Sequence, residues 1–126
     1  MIAHGDKVFL AYSASATDDR YAMGLLWAQA DADLMNPESW TKSQEPVFES
    51  APEHCIFGPG HNSFTTDECG RDVLVYHARD YQDIEGDPLH DPNRHARVQR
   101  FAHDENGFPV FGKPARSGPL RQDDLA

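Results

Sequence analysis

One short pattern occurs twice along this chain, and the distance between its copies constrains the fold more than any other feature. Phe9-Leu10-Ala11-Tyr12 returns as Val73-Leu74-Val75-Tyr76, and Pro46-Val47-Phe48 returns as Pro109-Val110-Phe111. The offsets are 64 and 63 residues. Trp27-Ala28 lines up in the same scheme with Phe101-Ala102, the second copy carrying a longer loop from Arg79 to Arg94 and a shorter segment after it. A period near ~60 residues with about four strand-like runs per unit is that of propeller blades made of antiparallel sheet. A β-sandwich with chance likeness between short apolar strands remains the alternative.

The runs themselves stand between turn signals. Lys7 to Ser13 and Met23 to Gln29 flank a polar stretch at Ala16 to Arg20, and Trp40 to Phe48 follows the turn Asn36-Pro37-Glu38-Ser39. His61 to Thr65 and Asp72 to Ala78 flank Asp67-Glu68-Cys69-Gly70. His95 to Ala102 and Phe108 to Phe111 flank Asp104-Glu105-Asn106-Gly107, and Asn-Gly between strand-like runs is a strong hairpin signal. The second unit thus has four strands. The first shows three, so its innermost strand is expected at or before Met1. The expected layout is a truncated first blade over about 1–50, a second blade over about 56–114, a propeller region ending near 119 and a tail over 120–126. Two blades cannot close a ring, and each blade buries its faces only against its neighbours. Such a chain is expected either to self-associate or to be a piece of a longer one, and the second reading is favoured.

Composition narrows the partners. The 126 residues suffice for one domain, and nine Pro with nine Gly favour many short strands over a helix bundle. A formal charge of −10 disfavours nucleic acid and anionic membranes as partners, whereas a neutral sugar is indifferent to it. Cys55 and Cys69 read as two unpaired thiols. No apolar run approaches the roughly eighteen residues of a membrane span, and no leader is visible after Met1, which leaves localisation open.

Two stretches carry candidate chemistry. In Phe57-Gly58-Pro59-Gly60-His61-Asn62-Ser63-Phe64, glycines on both sides of Pro59 let the backbone turn sharply, and His61 is expected at the very start of the next strand. An innermost blade strand lines the central channel, so His61 there can ligate a metal, directly or through water, or hydrogen-bond a sugar hydroxyl. A lone histidine that simply caps a turn is the default to set against this. The second stretch runs from Tyr76-His77-Ala78-Arg79 to Arg97-Val98-Gln99. Its carboxylates (Asp80, Asp83, Glu85, Asp87, Asp91) lack EF-hand spacing and read as a solvated loop. Arg79, Arg94 and Arg97 are the better candidates, because guanidinium forks suit carboxylates and sugar hydroxyls, although loop-to-strand salt bridges serve equally well.

The run GPGHNSF, then DVLVYHAR, then GDPLHDPNRHARVQ, resembles the C-terminal part of glycoside hydrolase family 43 propellers, the arabinofuranosidase and arabinanase-like members. FLAYSASATDDRYAMGLLWA and WTKSQEPVF resemble the preceding blade, so the likeness runs from about Ile2 to about Pro119. It implies an all-β fold, about two blades of a five-bladed β-propeller, and a parent that hydrolyses arabinan or arabinoxylan with inversion. Inversion needs a carboxylate base and a protonated carboxyl acid roughly 6.5–9.5 Å apart, with the attacking water between. The resemblance places two Asp on blades not seen here and the Glu in a Glu-Gly-Pro-type motif. The only Gly-Pro pairs, Gly58-Pro59 and Gly118-Pro119, follow no Glu, so no catalytic residue is assigned. It implies that His61 holds a central calcium largely through water, and that Arg79 and Arg94 help shape the sugar-binding end. A non-catalytic carbohydrate-binding or self-assembling module is the second reading. A complete small enzyme using Glu53 or Glu85 is the third and weakest. Open blade faces at Val73–Val75 and Phe9–Leu10 are expected to make the isolated chain behave poorly in solution.

Overall fold

The computed structural model describes residues 1–119, so the tail over 120–126 lies outside the described residues. The order of elements is β1 (Ile2–His4), β2 (Lys7–Ala14), β3 (Ala22–Gln29), β4 (Thr41–Lys42), β5 (Phe57–Thr66), β6 (Asp72–Arg79), β7 (His95–Arg100), β8 (Ala102–His103) and β9 (Pro109–Val110). Three short 3-10 turns each open on a proline, at Pro37, Pro52 and Pro88. Proline suits a first helical position because its missing N–H would have no partner there anyway. The described fold is all-β with every pairing antiparallel.

The strands form one sheet in the order β1-β2-β3-β4, one in the order β5-β6-β7, and a small β8-β9 hairpin. The strand count is the reverse of the expectation. The first sheet has its innermost strand within the chain, at Ile2–His4, and it is four-stranded. The second is three-stranded, because the ladder breaks at Phe101, whose N–H donates to the Asp72 carbonyl (3.1 Å). The run expected over Trp40 to Phe48 is also shorter. Only Thr41–Lys42 is strand, and Phe48 forms a separate bridge to Met23. Pro46 has no N–H to give and interrupts the ladder between them.

The repeat is confirmed in register, with one slip. Phe9 faces Trp27, and Val73, its counterpart at offset 64, faces Arg100. Trp27 therefore corresponds to Arg100 and Ala28 to Phe101, one residue from the sequence alignment. Alternation then sends equivalent residues to the same relative side of each sheet. On the first sheet the side carrying Phe9 and Leu25 is buried, at 0% and 2% exposure, while Leu10 on the other side is 38% exposed. On the second the order inverts: Leu74 is fully buried, and Val98, paired with Val75 on the opposite side, is 54% exposed. The two sheets thus face each other across a core of Met23, Phe48, Ile56, Leu74, Tyr76, Phe101 and Phe111. Phe9 belongs to the buried side, edge-on to Phe108 at 5.4 Å, so the expectation that it is exposed is corrected.

Gln99 locks the segment that follows β9 onto this core. Its buried amide donates to the Phe111 and Lys113 carbonyls and accepts from the Tyr76 hydroxyl and the Ala115 N–H. All four capacities of the amide are filled, which is what a buried polar side chain requires. Burial pushes the Tyr76 hydroxyl up to about 12, so it stays a proton donor to Gln99. Cys55 and Cys69 are free and exposed.

Candidate functional site

His61 is not at the start of a strand. It is the fifth residue of the ten in β5, because Phe57 to Gly60 are themselves paired with β6. The pairing is Phe57 with Arg79, Gly60 with His77 and Ser63 with Val75, with an irregularity in each interval. These bulges re-aim the strand and place His61 at φ 52. A left-handed backbone costs a residue with a side chain roughly 1–2 kcal/mol. The Ser13 hydroxyl, from β2, accepts the His61 N–H at 2.6 Å and holds this geometry.

The glycines ahead of it are needed for close approach. A Cβ on Gly60 would lie 2.3 Å from Cε1 of Tyr21, and one on Gly58 would lie 2.5 Å from the Asp18 carbonyl oxygen. The loop between β2 and β3 therefore packs directly on the Gly58-Pro59-Gly60 backbone. Tyr21 is brought over the Gly60–His77 pair, and its ring is near-parallel to that of His77 (centroids 5.9 Å apart, planes at 16°). His77 in turn lies 5.6 Å from the exposed His61 ring, with planes at 26°. The His77 Nδ1 is buried and has no hydrogen-bond partner. Burial pushes the His77 pKa down, and the charges of Arg94, His61 and Arg79 act in the same direction.

The arginines divide into a brace and a rim. Arg79 is 2% exposed and donates from Nε to Asp91 (3.2 Å), from Nη1 to the Thr17 carbonyl (2.8 Å) and from Nη2 to the Pro88 carbonyl (2.8 Å). It ties the loop after β6 to the loop after β2. The Arg79 guanidinium is buried and engaged by protein acceptors, so it acts as a brace between loops and is not open to solvent. Asp91 also accepts from the Tyr81 hydroxyl, and this bond first, then the Asn93 N–H and Arg79, holds its carboxyl below the usual range. Arg94 is half-buried, with Nη2 on the Leu89 carbonyl (3.1 Å). Arg97 reaches the Ala78 carbonyl and Ser117. His61, His77 and Arg94 thus gather at one end of the second sheet, against Tyr21 from the first.

The profile of the family described as "Glycosyl hydrolases family 43" matches residues 1–109. The chain belongs to glycosyl hydrolase family 43. It is 56% identical over 124 residues to the extracellular exo-α-(1→5)-L-arabinofuranosidase of Streptomyces avermitilis, covering 96% of this chain and 26% of that protein. It is 56% identical over 120 residues to α-L-arabinofuranosidase 43 of Humicola insolens, covering 94% of this chain and 25% of that protein. The crystal structure of an α-L-arabinofuranosidase from Lactobacillus brevis superimposes with a TM-score of 0.91 at 54% identity, over 94% of this chain and 37% of that one. The chain therefore spans about a quarter of the length of these curated relatives.

In this family 43 chain the residues at His61 do not by themselves make a calcium site. Calcium takes six to eight oxygen ligands, roughly, and His61 offers a nitrogen. The other groups converging there are His77, which offers a second nitrogen, and the guanidinium of Arg94, whose charge repels a cation. Among the described residues no group of three His, Cys, Asp or Glu side chains is placed to hold a metal ion. The two carboxylates considered for catalysis are not set up for it either. Glu53 is paired with Lys113, which lowers its pKa, and Glu85 is exposed on the loop.

Reading the sequence missed Ser13, Tyr21 and His77. Ser13 and Tyr21 lie 48 and 40 positions before His61 and reach its neighbourhood only by packing between sheets. His77 stood within a quoted motif, and alternation along β6 was the signal available: it faces away from buried Tyr76 and Ala78.

Proposed function

We propose that this chain supplies part of the sugar-facing end of an α-L-arabinofuranosidase-type hydrolase, acting with inversion on arabinose-containing glycans such as arabinan or arabinoxylan, and contains no acid–base pair of its own. The gathering of His61 and Arg94 toward one end of the second sheet, with the His61 backbone kept in an uncommon conformation, carries the proposal. An exposed imidazole and a partly free guanidinium suit the hydroxyls of a neutral furanose. Family membership and the arabinofuranosidases among the relatives support the sugar class.

The carboxyl groups support the second half of the proposal. A general acid at neutral pH needs its pKa raised, by burial or by a like charge. Among the described residues every carboxyl whose pKa is displaced is displaced downward, at Asp6, Asp18, Glu53, Asp67 and Asp91, each by hydrogen bonds to a donor beside it. These groups are fixed as anions and serve loops and turns. The test pairs catalysis with binding. The folded chain is expected to release no arabinose from an aryl arabinofuranoside or from arabinan, while an arabino-oligosaccharide shifts the NMR resonances of His61 and Arg94. Turnover that survives purification to homogeneity would show an acid–base pair within the chain, and absence of any shift would remove the sugar-facing role.

A further inference from the structure

We propose that Tyr21 and His77 form a positioning device for His61, a platform of two rings that fixes where the exposed imidazole points. Its functional meaning rests on the sugar-facing reading above; its test does not.

The platform is built from both sheets. His77 lies inside β6, opposite Gly60 in the ladder, and its backbone is fixed on both sides by β5 and β7. Tyr21 comes from the loop between β2 and β3, where its N–H donates to the Asp18 carbonyl (3.1 Å). That loop is clamped at Thr17 by Arg79 and at Asp19 by the Ser50 hydroxyl and the Gln82 amide. The missing Cβ at Gly60 lets the Tyr21 ring settle beside His77. His61 is therefore fixed at its backbone by Ser13 and faced at its ring by His77. An exposed imidazole without such a neighbour would exchange among its rotamers, and ordering it on binding would weaken the contact it makes.

The chemistry of the platform separates it from mere filling. Leucine or phenylalanine would fill the place of His77 without leaving a buried nitrogen unpartnered, which disfavours folding. A flat ring is what positioning requires, so His77→Phe should keep the function of the platform and His77→Leu should abolish it. An unsatisfied Nδ1 also means that His77→Phe should fold at least as stably as the natural chain.

The experiment records the His61 ring protons by NMR in the natural chain, His77→Phe and His77→Leu, each shown to be folded by a cooperative melt. In the natural chain these protons are expected away from their random-coil positions, through the ring current of His77. His77→Phe should preserve the displacement and His77→Leu should remove most of it. If His77→Leu does not fold, Tyr21→Leu is read in the same way, with a partial loss expected. The proposal is overturned if His77→Leu leaves the His61 shifts unchanged, or if His77→Phe abolishes them as completely. Titration with an arabino-oligosaccharide then separates the two readings. His77→Leu should weaken the response about fivefold, near 1 kcal/mol, while His77→Phe stays close to the natural chain. No response from the natural chain itself would end the sugar-facing reading while the ring shifts still decide the platform.

Discussion

Two histidine pairs stand out in this chain, one within the second sheet and one between the first sheet and the β8-β9 hairpin, and they are built oppositely. His61 and His77 sit 5.6 Å apart at the rim, with Arg94 and Arg79 as their charged neighbours. His4 and His103 sit 3.6 Å apart and almost parallel, at 3°, with carboxylates as theirs. The His103 side chain is 8% exposed, its Nε2 is buried without a partner, and its Nδ1 is 3.6 Å from Asp72. Burial pushes the pKa of both His77 and His103 down, and in each case the partner imidazole adds to the effect. At His77 the remaining charges push the same way. At His103, Asp72 and Asp104 oppose it. The lesson is that ring stacking alone does not decide what a histidine pair does. The charge around each pair differs: beside His77 it adds to burial in disfavouring the imidazolium, and beside His103 the carboxylates work against burial.

The largest test removes what lies between the pairs. Phe48 is 1% exposed and meets Tyr76 edge-on at 4.9 Å, across the join of the sheets. Phe48→Ala should cost about 3–5 kcal/mol in denaturant melts and disturb both pairs. A loss below about 1 kcal/mol would mean that the apolar centre at Phe48 does not hold the sheets together.

Gly60→Ala should break one pair and spare the other. The added methyl would meet the Tyr21 ring at 2.3 Å, so a cost of about 1–3 kcal/mol is expected, with the His61 and His77 resonances displaced. The His4 and His103 resonances should hold still. Movement of all four would show that the pairs are coupled through the core.

Acid should distinguish the pairs in a third way. The pKa of His103 in the folded chain lies below its ordinary value of 6.5, so the unfolded chain binds the proton more readily. Stability from this group is complete above that value and is lost as pH falls through the depressed folded pKa. Thermal melts taken from about pH 7.5 down to about pH 5 should show this loss, and His103→Asn should reduce its slope. An unchanged slope would assign the acid sensitivity elsewhere, His77 first.

The smallest effect expected on folding is at the rim. Arg94→Met should change stability by no more than about 0.5 kcal/mol while abolishing the oligosaccharide response of the site. Arg79→Met should do more damage to folding, because it strips the Thr17 and Pro88 carbonyls and Asp91 of their shared donor. Equal effects would erase the distinction between brace and rim.

Much of this was legible in the sequence, but unevenly. The period survives in space because the central strands of the two units, β2 and β6, are each eight residues long and each pairs antiparallel with the strand that follows it. The register slipped by one because Trp27 and Phe101 are both aromatic, while the true partner of Trp27 in the repeat is Arg100, a residue of opposite character. Strand β1 escaped notice because three residues are too few to carry a periodicity. His61 and Arg94 were found from a motif that is contiguous in the chain. Tyr21 was not, since its role comes from a contact that needs the other sheet already in place. Arg79 was assigned to the site by type, and only its burial shows that it faces inward.

The inverted burial of Leu10 and Leu74 has a consequence for assembly. The two sheets are related by a step along the chain and not by a two-fold axis, so the pair presents unlike surfaces at its two ends. Leu10 and Tyr12 lie on one end, and Val75 with Val98 lies on the other. Any further sheet meets a surface different from the one it offers in return, which is head-to-tail addition. Such addition is closed only by curvature: a constant turn per step that sums to a full circle gives a ring, and any other gives a filament.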